Sequence, residues 1–182
     1  MQLGNSPTRY GSGPQALHWF TVLVVIAAWL LGQFGDDLPE SAHDAVVRVH
    51  ITLGQLVVVL LIARLAWRIA NPPPPAEPTR FGRLLEFAAK ATHVALYALL
   101  IAVPVAGTMV QLKRGNPLPI LGVWETASPW PRDRTVARSV LGIHELLANA
   151  LLILAGLHAA AALFHHWVLR DRTLTRMLPL KP

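Results

Sequence analysis

The chain has 182 residues, of which 53% are hydrophobic and only 14% charged, against about a quarter charged in ordinary soluble domains. It carries a net charge of +6, a mean hydropathy of +0.44 and no cysteine. Disulfides, iron–sulfur clusters and every other cysteine-borne cofactor are thereby excluded.

A polar lead over residues 1–15 precedes the first uncharged run, 16–35. This run contains His18, is too long for a signal-peptide core and lacks a small-residue cleavage site, so it reads as a retained helix. An acidic loop follows, with His43 expected in solvent. The second apolar run, 49–63, extends to Ile69 if Arg64 and Arg68 snorkel, and Asn71 with Pro72–Pro75 stops it. Helix three begins near Phe81 or Arg83 as an amphipathic turn and enters lipid after Lys90, with Pro104 and Gly107 expected to bend it. A loop rich in Pro and Trp from Lys113 to Arg134 caps the outer end, and the last run covers 146–169. Each run approaches the ~20 residues that a membrane-spanning helix requires. The predicted fold is all-α: a single domain over 1–182, a four-helix transmembrane bundle with helices at about 16–34, 45–69, 87–112 and 136–169.

Placing the N-terminus inside puts ten Lys/Arg in inner segments and six in outer ones, which favours both termini cytoplasmic. Trp19, Trp67 and Trp167 then fall at the inner interface as an aromatic belt. The basic character is a topology signal, and no nucleic-acid footprint accompanies it.

Histidines inside the apolar runs carry the functional signal, because ionisable groups in lipid are costly unless used. His144 and His158 are fourteen residues apart, about 21 Å along a helix and almost four whole turns, so both imidazoles share a face. Antiparallel helices leave two same-depth pairs: His18 with His158 towards the inside, His50 with His144 towards the outside. Two imidazoles at each of two depths are the donor set for two b-type haems per chain, each iron taking one ligand from either face. The competing reading is four packed or interfacial histidines without a ligand. Gly54, Gly156 and the alanines at 159–162 leave room for a flat macrocycle or serve helix packing.

His165 lies on nearly the same face as His158 and ranks second as an inner ligand; His166 reads as interfacial. For His93, one turn from Lys90 and from Tyr97, a role in handling protons or contacting a quinone stands beside packing or a propionate hydrogen bond. Arg64 is fourteen residues after His50. It either pairs with an inner-haem propionate or snorkels.

The segments Leu17-His18-Trp19, Arg114-Gly115-Asn116-Pro117, His144-Glu145-Leu146-Leu147-Ala148-Asn149 and Gly156-Leu157-His158-Ala159-Ala160-Ala161-Ala162-Leu163, with His165-His166 behind, give the chain a family likeness. Along nearly its whole length it resembles bacterial cytochrome b561. The resemblance implies a multi-pass protein of the bacterial inner membrane with two b haems, held by His18 and His158 on the inner side and by His50 and His144 on the outer. It also implies an oxidoreductase of the superoxide:ubiquinone kind, passing electrons from periplasmic superoxide to ubiquinone. The family is similar to the cytochrome subunits of nickel hydrogenases and formate dehydrogenases, so an electron-transfer subunit docked on a protein partner is the alternative. For a small anionic donor, the second outer loop and its flank offer Lys113, Arg114, Arg132, Arg134 and Arg138 against Glu125 and Asp133. Lys113, Arg114 and Arg132 are the candidates for steering superoxide; a solvated basic loop is the plainer reading.

Overall fold

A computed structural model describes residues 2–75, 77 and 82–179 of the chain. Four long helices make up most of it: α1 Ser12–Phe34, α2 His43–Ala70, α3 Gly82–Lys113 and α4 Arg134–Phe164, the last prolonged by a π-helical turn His165–Leu169. All four are long and apolar enough to cross a membrane. Large apolar side chains stand exposed along them, Leu23 and Ile153 among them. Lipid, with no water to satisfy a bare backbone, is the solvent for such surfaces.

Helix α1 begins earlier than hydropathy alone implied, at Ser12, whereas α3 opens at Gly82, between the two starts expected for it, and Phe81 lies outside the described residues. Polar first turns join a helix when its backbone bonds continue inward, whatever their hydropathy. Asp133 caps α4 by accepting from the N–H groups of Thr135 and Val136, both at 3.0 Å, the usual service of an Asp N-cap. Pro104 sits inside α3 without ending it.

Helix α1 packs on α2, α2 on α3, and α3 on α4. Among the described residues there is no comparable packing of α4 against α1 or against α2. Where the bundle does close, at mid-height, Val24, Val57, Leu60, Leu61, Leu100 and Leu151 form its buried core.

The α3–α4 loop departs from the all-α expectation by forming a short antiparallel hairpin, β1 Leu118–Ile120 with β2 Trp124–Thr126. Leu121 and Gly122 take positive φ of 48° and 72° at its turn, the backbone of a type I′ reversal. Gln55 of α2 pins the hairpin down, donating to the Pro119 carbonyl and accepting from the Leu121 N–H, both at 2.7 Å.

At the opposite end the two chain termini are woven together. Arg176, 8% exposed, donates to the carbonyls of Thr8 and Pro75 and pairs with Glu77 at 3.4 Å. Gln15 donates to the Arg176 carbonyl and Trp19 to that of Met177. Trp67 lies over Gly13, in the first turn of α1.

The tail turns at Arg170, which is left-handed at φ 55°. Behind it the Asp171 carboxylate pairs with the His165 imidazole and accepts from Thr173. Burial alone would raise the Asp171 carboxyl, but the hydrogen bonds from Thr173 and the nearby His165 outweigh it and hold it below the usual range. A carboxyl depressed in the folded state adds stability above its unfolded pKa, here about 3.8, and loses it as pH falls further. Asp171→Asn should therefore lower the thermal midpoint at pH 7 by no more than about 3 °C. Unfolding followed by circular dichroism should show the gap between variant and parent closing below pH ~4.

Candidate functional site

Two pairs of imidazoles face each other across the helices that do not pack. His50 of α2 and His144 of α4 have ring centroids 6.0 Å apart, their planes at 86°. His18 of α1 and His158 of α4 stand 6.4 Å apart at 72°. A metal held between two imidazoles, with bonds of about 2 Å and roughly 1.1 Å from nitrogen to ring centre, separates the centroids by about 6 Å. Both spacings match that figure. Among the described residues no three side chains of His, Cys, Asp or Glu converge on one point. The donors come in twos, as suits an iron whose other four ligands belong to a porphyrin.

The first pair shows how the sequence builds such a site. His50 Nδ1 lies 2.8 Å from the Ala28 carbonyl of α1, and His144 Nδ1 lies 3.0 Å from the Val103 carbonyl of α3. A carbonyl can only accept, so both Nδ1 atoms carry the proton and both Nε2 lone pairs are left for a metal. Four residues beyond each carbonyl stands a glycine, Gly32 and Gly107. A side chain there would cover the preceding turn and bar the histidine from its carbonyl. A Cβ built on either glycine would come within 3.0 Å of the imidazole.

Around this pair opens a cavity of about 280 Å³, lined by His50, His144, Gly32, Gly54 and Gly107 and reaching Arg114 at its mouth. A Cβ at Gly54 would meet nothing within 4 Å; the position holds space open beside the pair. His43, expected in solvent, also lines the cavity, with Nε2 2.8 Å from the Leu38 carbonyl. The reason is helical: α2 begins at His43, so its side chain points along the bundle's own face.

The second pair has denser company. Arg64 Nη2 stands 3.4 Å from His18 Nδ1, and its guanidinium lies 5.7 Å from the centre of the Tyr97 ring. His93 packs edge-on to His158 at 5.1 Å and donates from Nδ1 to the Ala89 carbonyl at 2.7 Å. Trp67, three residues after Arg64, buries an indole N–H with no acceptor among the described residues. An orphaned buried donor is what an acceptor-bearing group such as a carboxylate would satisfy. His165 is engaged by Asp171 and Thr173, whereas His158 is the residue brought to His18.

Of the outer cations, Arg114 and Arg132 share one pocket. Lys113 is held elsewhere, its Nζ 5.2 Å from the centre of the Trp130 ring.

Taken together, an apolar four-helix bundle with two pairs of facing imidazoles, one of them proton-fixed on Nδ1 and open on Nε2, has the donor set of a membrane protein that holds b-type haem. A family model described as "Prokaryotic cytochrome b561" matches residues 9–180. Cytochrome b561 homolog 2 of Escherichia coli (strain K12) is 30% identical over 98% of this chain and 95% of its own length. A Yersinia pestis protein named "Probable superoxide oxidase CybB" is 32% identical over 95% of the chain and 97% of its own. Cytochrome b562 of Cereibacter sphaeroides is 29% identical, over 89% and 90%. The chain belongs to the prokaryotic cytochrome b561 family, multi-pass bacterial membrane proteins that bind b-type haem and transfer electrons.

Gly32 and Gln55 escaped the sequence reading, and Gly107 was read there only as a bend in helix three. An isolated glycine inside an apolar helix was the available signal. Gly107→Ala should lower the haem recovered per chain, read from the reduced-minus-oxidised spectrum. Gly142→Ala, two residues before His144 and meeting nothing within 4 Å, should leave it unchanged or slightly stabilise the helix.

Proposed function

We propose that this protein is a dihaem cytochrome of the inner membrane that oxidises periplasmic superoxide and reduces ubiquinone. In balance, two superoxide anions lose one electron each to become dioxygen, and the quinone takes two electrons and two protons to become quinol. A b-type haem with two imidazole ligands supplies one-electron transfer with no open coordination position. The observation that carries the reading is the matched spacing of the two histidine pairs, 6.0 Å and 6.4 Å across, each joining α4 to a helix on which, among the described residues, it packs only sparsely.

In this reading His50 and His144 hold the outer haem and His18 with His158 the inner one, with both termini cytoplasmic as the distribution of Lys and Arg favours. Arg64, whose guanidinium lies by His18 and Tyr97, pairs with a propionate at the inner site. His93 is the proton-handling residue: its Nδ1 proton is committed to Ala89, so the proton moves at Nε2, on the side where the quinone accepts it. Arg114 and Arg132, with Lys113 on the flank, draw superoxide towards the cavity mouth. Arg114 lines both that mouth and the cationic pocket, which supports the steering role. The likeness to a relative named as a superoxide oxidase supports the donor.

Pyridine haem quantitation should give two haems per chain in the parent. His144→Ala and His158→Ala should each retain about one haem, and a full complement in either would refute the ligand assignment. Stopped-flow mixing of superoxide with the oxidised protein should reduce the haem at a rate that falls steeply with added salt. Absence of reduction, with haem intact, would favour a docked electron-transfer subunit instead.

A further inference from the structure

Beside the cavity mouth lies a second pocket, of about 310 Å³, lined by Arg114, Arg132, Arg134, Arg138, Asn116 and Leu141. Its arginines come from three places: Arg114 just past the end of α3, Arg132 from the loop, Arg134 and Arg138 from the first turns of α4. The backbone beneath them is fixed. Asp133 N–H donates to the Lys113 carbonyl at 2.9 Å, and the Arg132 stem rests on Gly115, whose φ of +75° suits glycine.

Among the described residues none of these four guanidiniums has a carboxylate within ion-pair distance. Asp133, the acid next in sequence, is occupied in capping α4. Three separate costs follow. Arg134 and Arg138 are like charges at i and i+4, which repel along a helix. Arg134 opens α4, where the helix dipole disfavours a cation, and the first turn of the helix holds no acid beyond the capping Asp133. All four line one pocket, so their charges share one space. A single bound anion removes all three costs at once.

Superoxide, a monoanion with two oxygens, can engage one guanidinium fork. Four forks call for an anion with more oxygens and more charge, and a phosphoryl group has both. The pocket lies at the level where α3 and α4 leave the membrane, and its floor, Ala137 and Leu141, is apolar.

We propose that Arg114, Arg132, Arg134 and Arg138 form a binding site for a phosphoryl anion, borne by a phospholipid headgroup or by free phosphate. The site adjoins the route proposed for superoxide but stands without it, since it is tested on oxidised protein with no superoxide present. Inorganic phosphate titrated calorimetrically into the detergent-solubilised holoprotein should bind at one saturable site that weakens with sodium chloride. The double variant Arg134→Gln/Arg138→Gln should lose at least about tenfold in affinity with its haem spectrum unchanged. Arg138→Lys, which keeps charge but loses the fork, should fall between. In nanodiscs, phosphatidylglycerol mixed into phosphatidylcholine should weaken phosphate binding if a headgroup is the occupant; equal affinity in both compositions assigns the site to free phosphate. No saturable binding by the parent, or binding equal in the double variant, overturns the proposal.

Discussion

A histidine can serve a metal inside lipid only if its second nitrogen is satisfied there, and lipid offers nothing to satisfy it. The helices of this bundle supply the partner from their own backbones. Each helical carbonyl has a lone pair beyond the one used in the helix, and Ala28 and Val103 spend theirs on His50 and His144. Such a bond does three things together. It removes the penalty of an unpaired donor in hydrocarbon, fixes the tautomer with Nε2 free, and sets the ring plane. Its geometric requirement is bare backbone four residues on, and glycine meets it at both places. The α1–α2 and α3–α4 hairpins repeat the device, one lending the carbonyl and the other the histidine.

From that constraint the layering of the molecule follows. Leu151 lies seven residues after His144 and seven before His158, Val57 seven after His50 and Leu100 seven after His93. Seven residues are close to two turns, about 10 Å, so the buried Val and Leu layer sits midway between the two histidine levels on the same helix faces. The bundle closes where it is apolar and stands apart where imidazoles face each other. A well-packed aliphatic layer leaves no room for water, while electrons need no such passage. Moving charge between levels without moving protons or ions is what this alternation favours.

How much of this was legible beforehand depended on the range of the interactions. Four apolar runs and a fourteen-residue spacing on one helix are local facts, and antiparallel packing then allowed only one pairing of His18, His50, His144 and His158. Contacts between elements distant in sequence left no such trace. Gln55 grips the hairpin 64 residues away at Pro119, and Arg176 ties back to Thr8 across 168 residues. Topology assigned Trp67 a depth, but its contact with Gly13 of α1 is again a meeting of distant segments. His43 was misjudged for a local reason: a polar loop was assumed where the helix had already begun.

The two ends of the bundle finally differ in kind, and the difference is one of polar satisfaction. At the terminal end, side chains of the lead and tail are spent on backbone carbonyls: Asn5 on Asn71 and Pro72, Arg9 on Leu178, Gln15 on Tyr10 and Arg176. Segments bound this way open only with much of their surroundings. At the hairpin end the cations of the pocket are exposed and, among the described residues, lack ion-pair partners, and the cavity beside them reaches an imidazole pair. Side chains already hydrogen-bonded to the chain hold shape, and those left over are available to something else. In the proposed reading, a protein that meets an ion from water at one face while keeping its other face fixed has reason to divide its polar groups in this way.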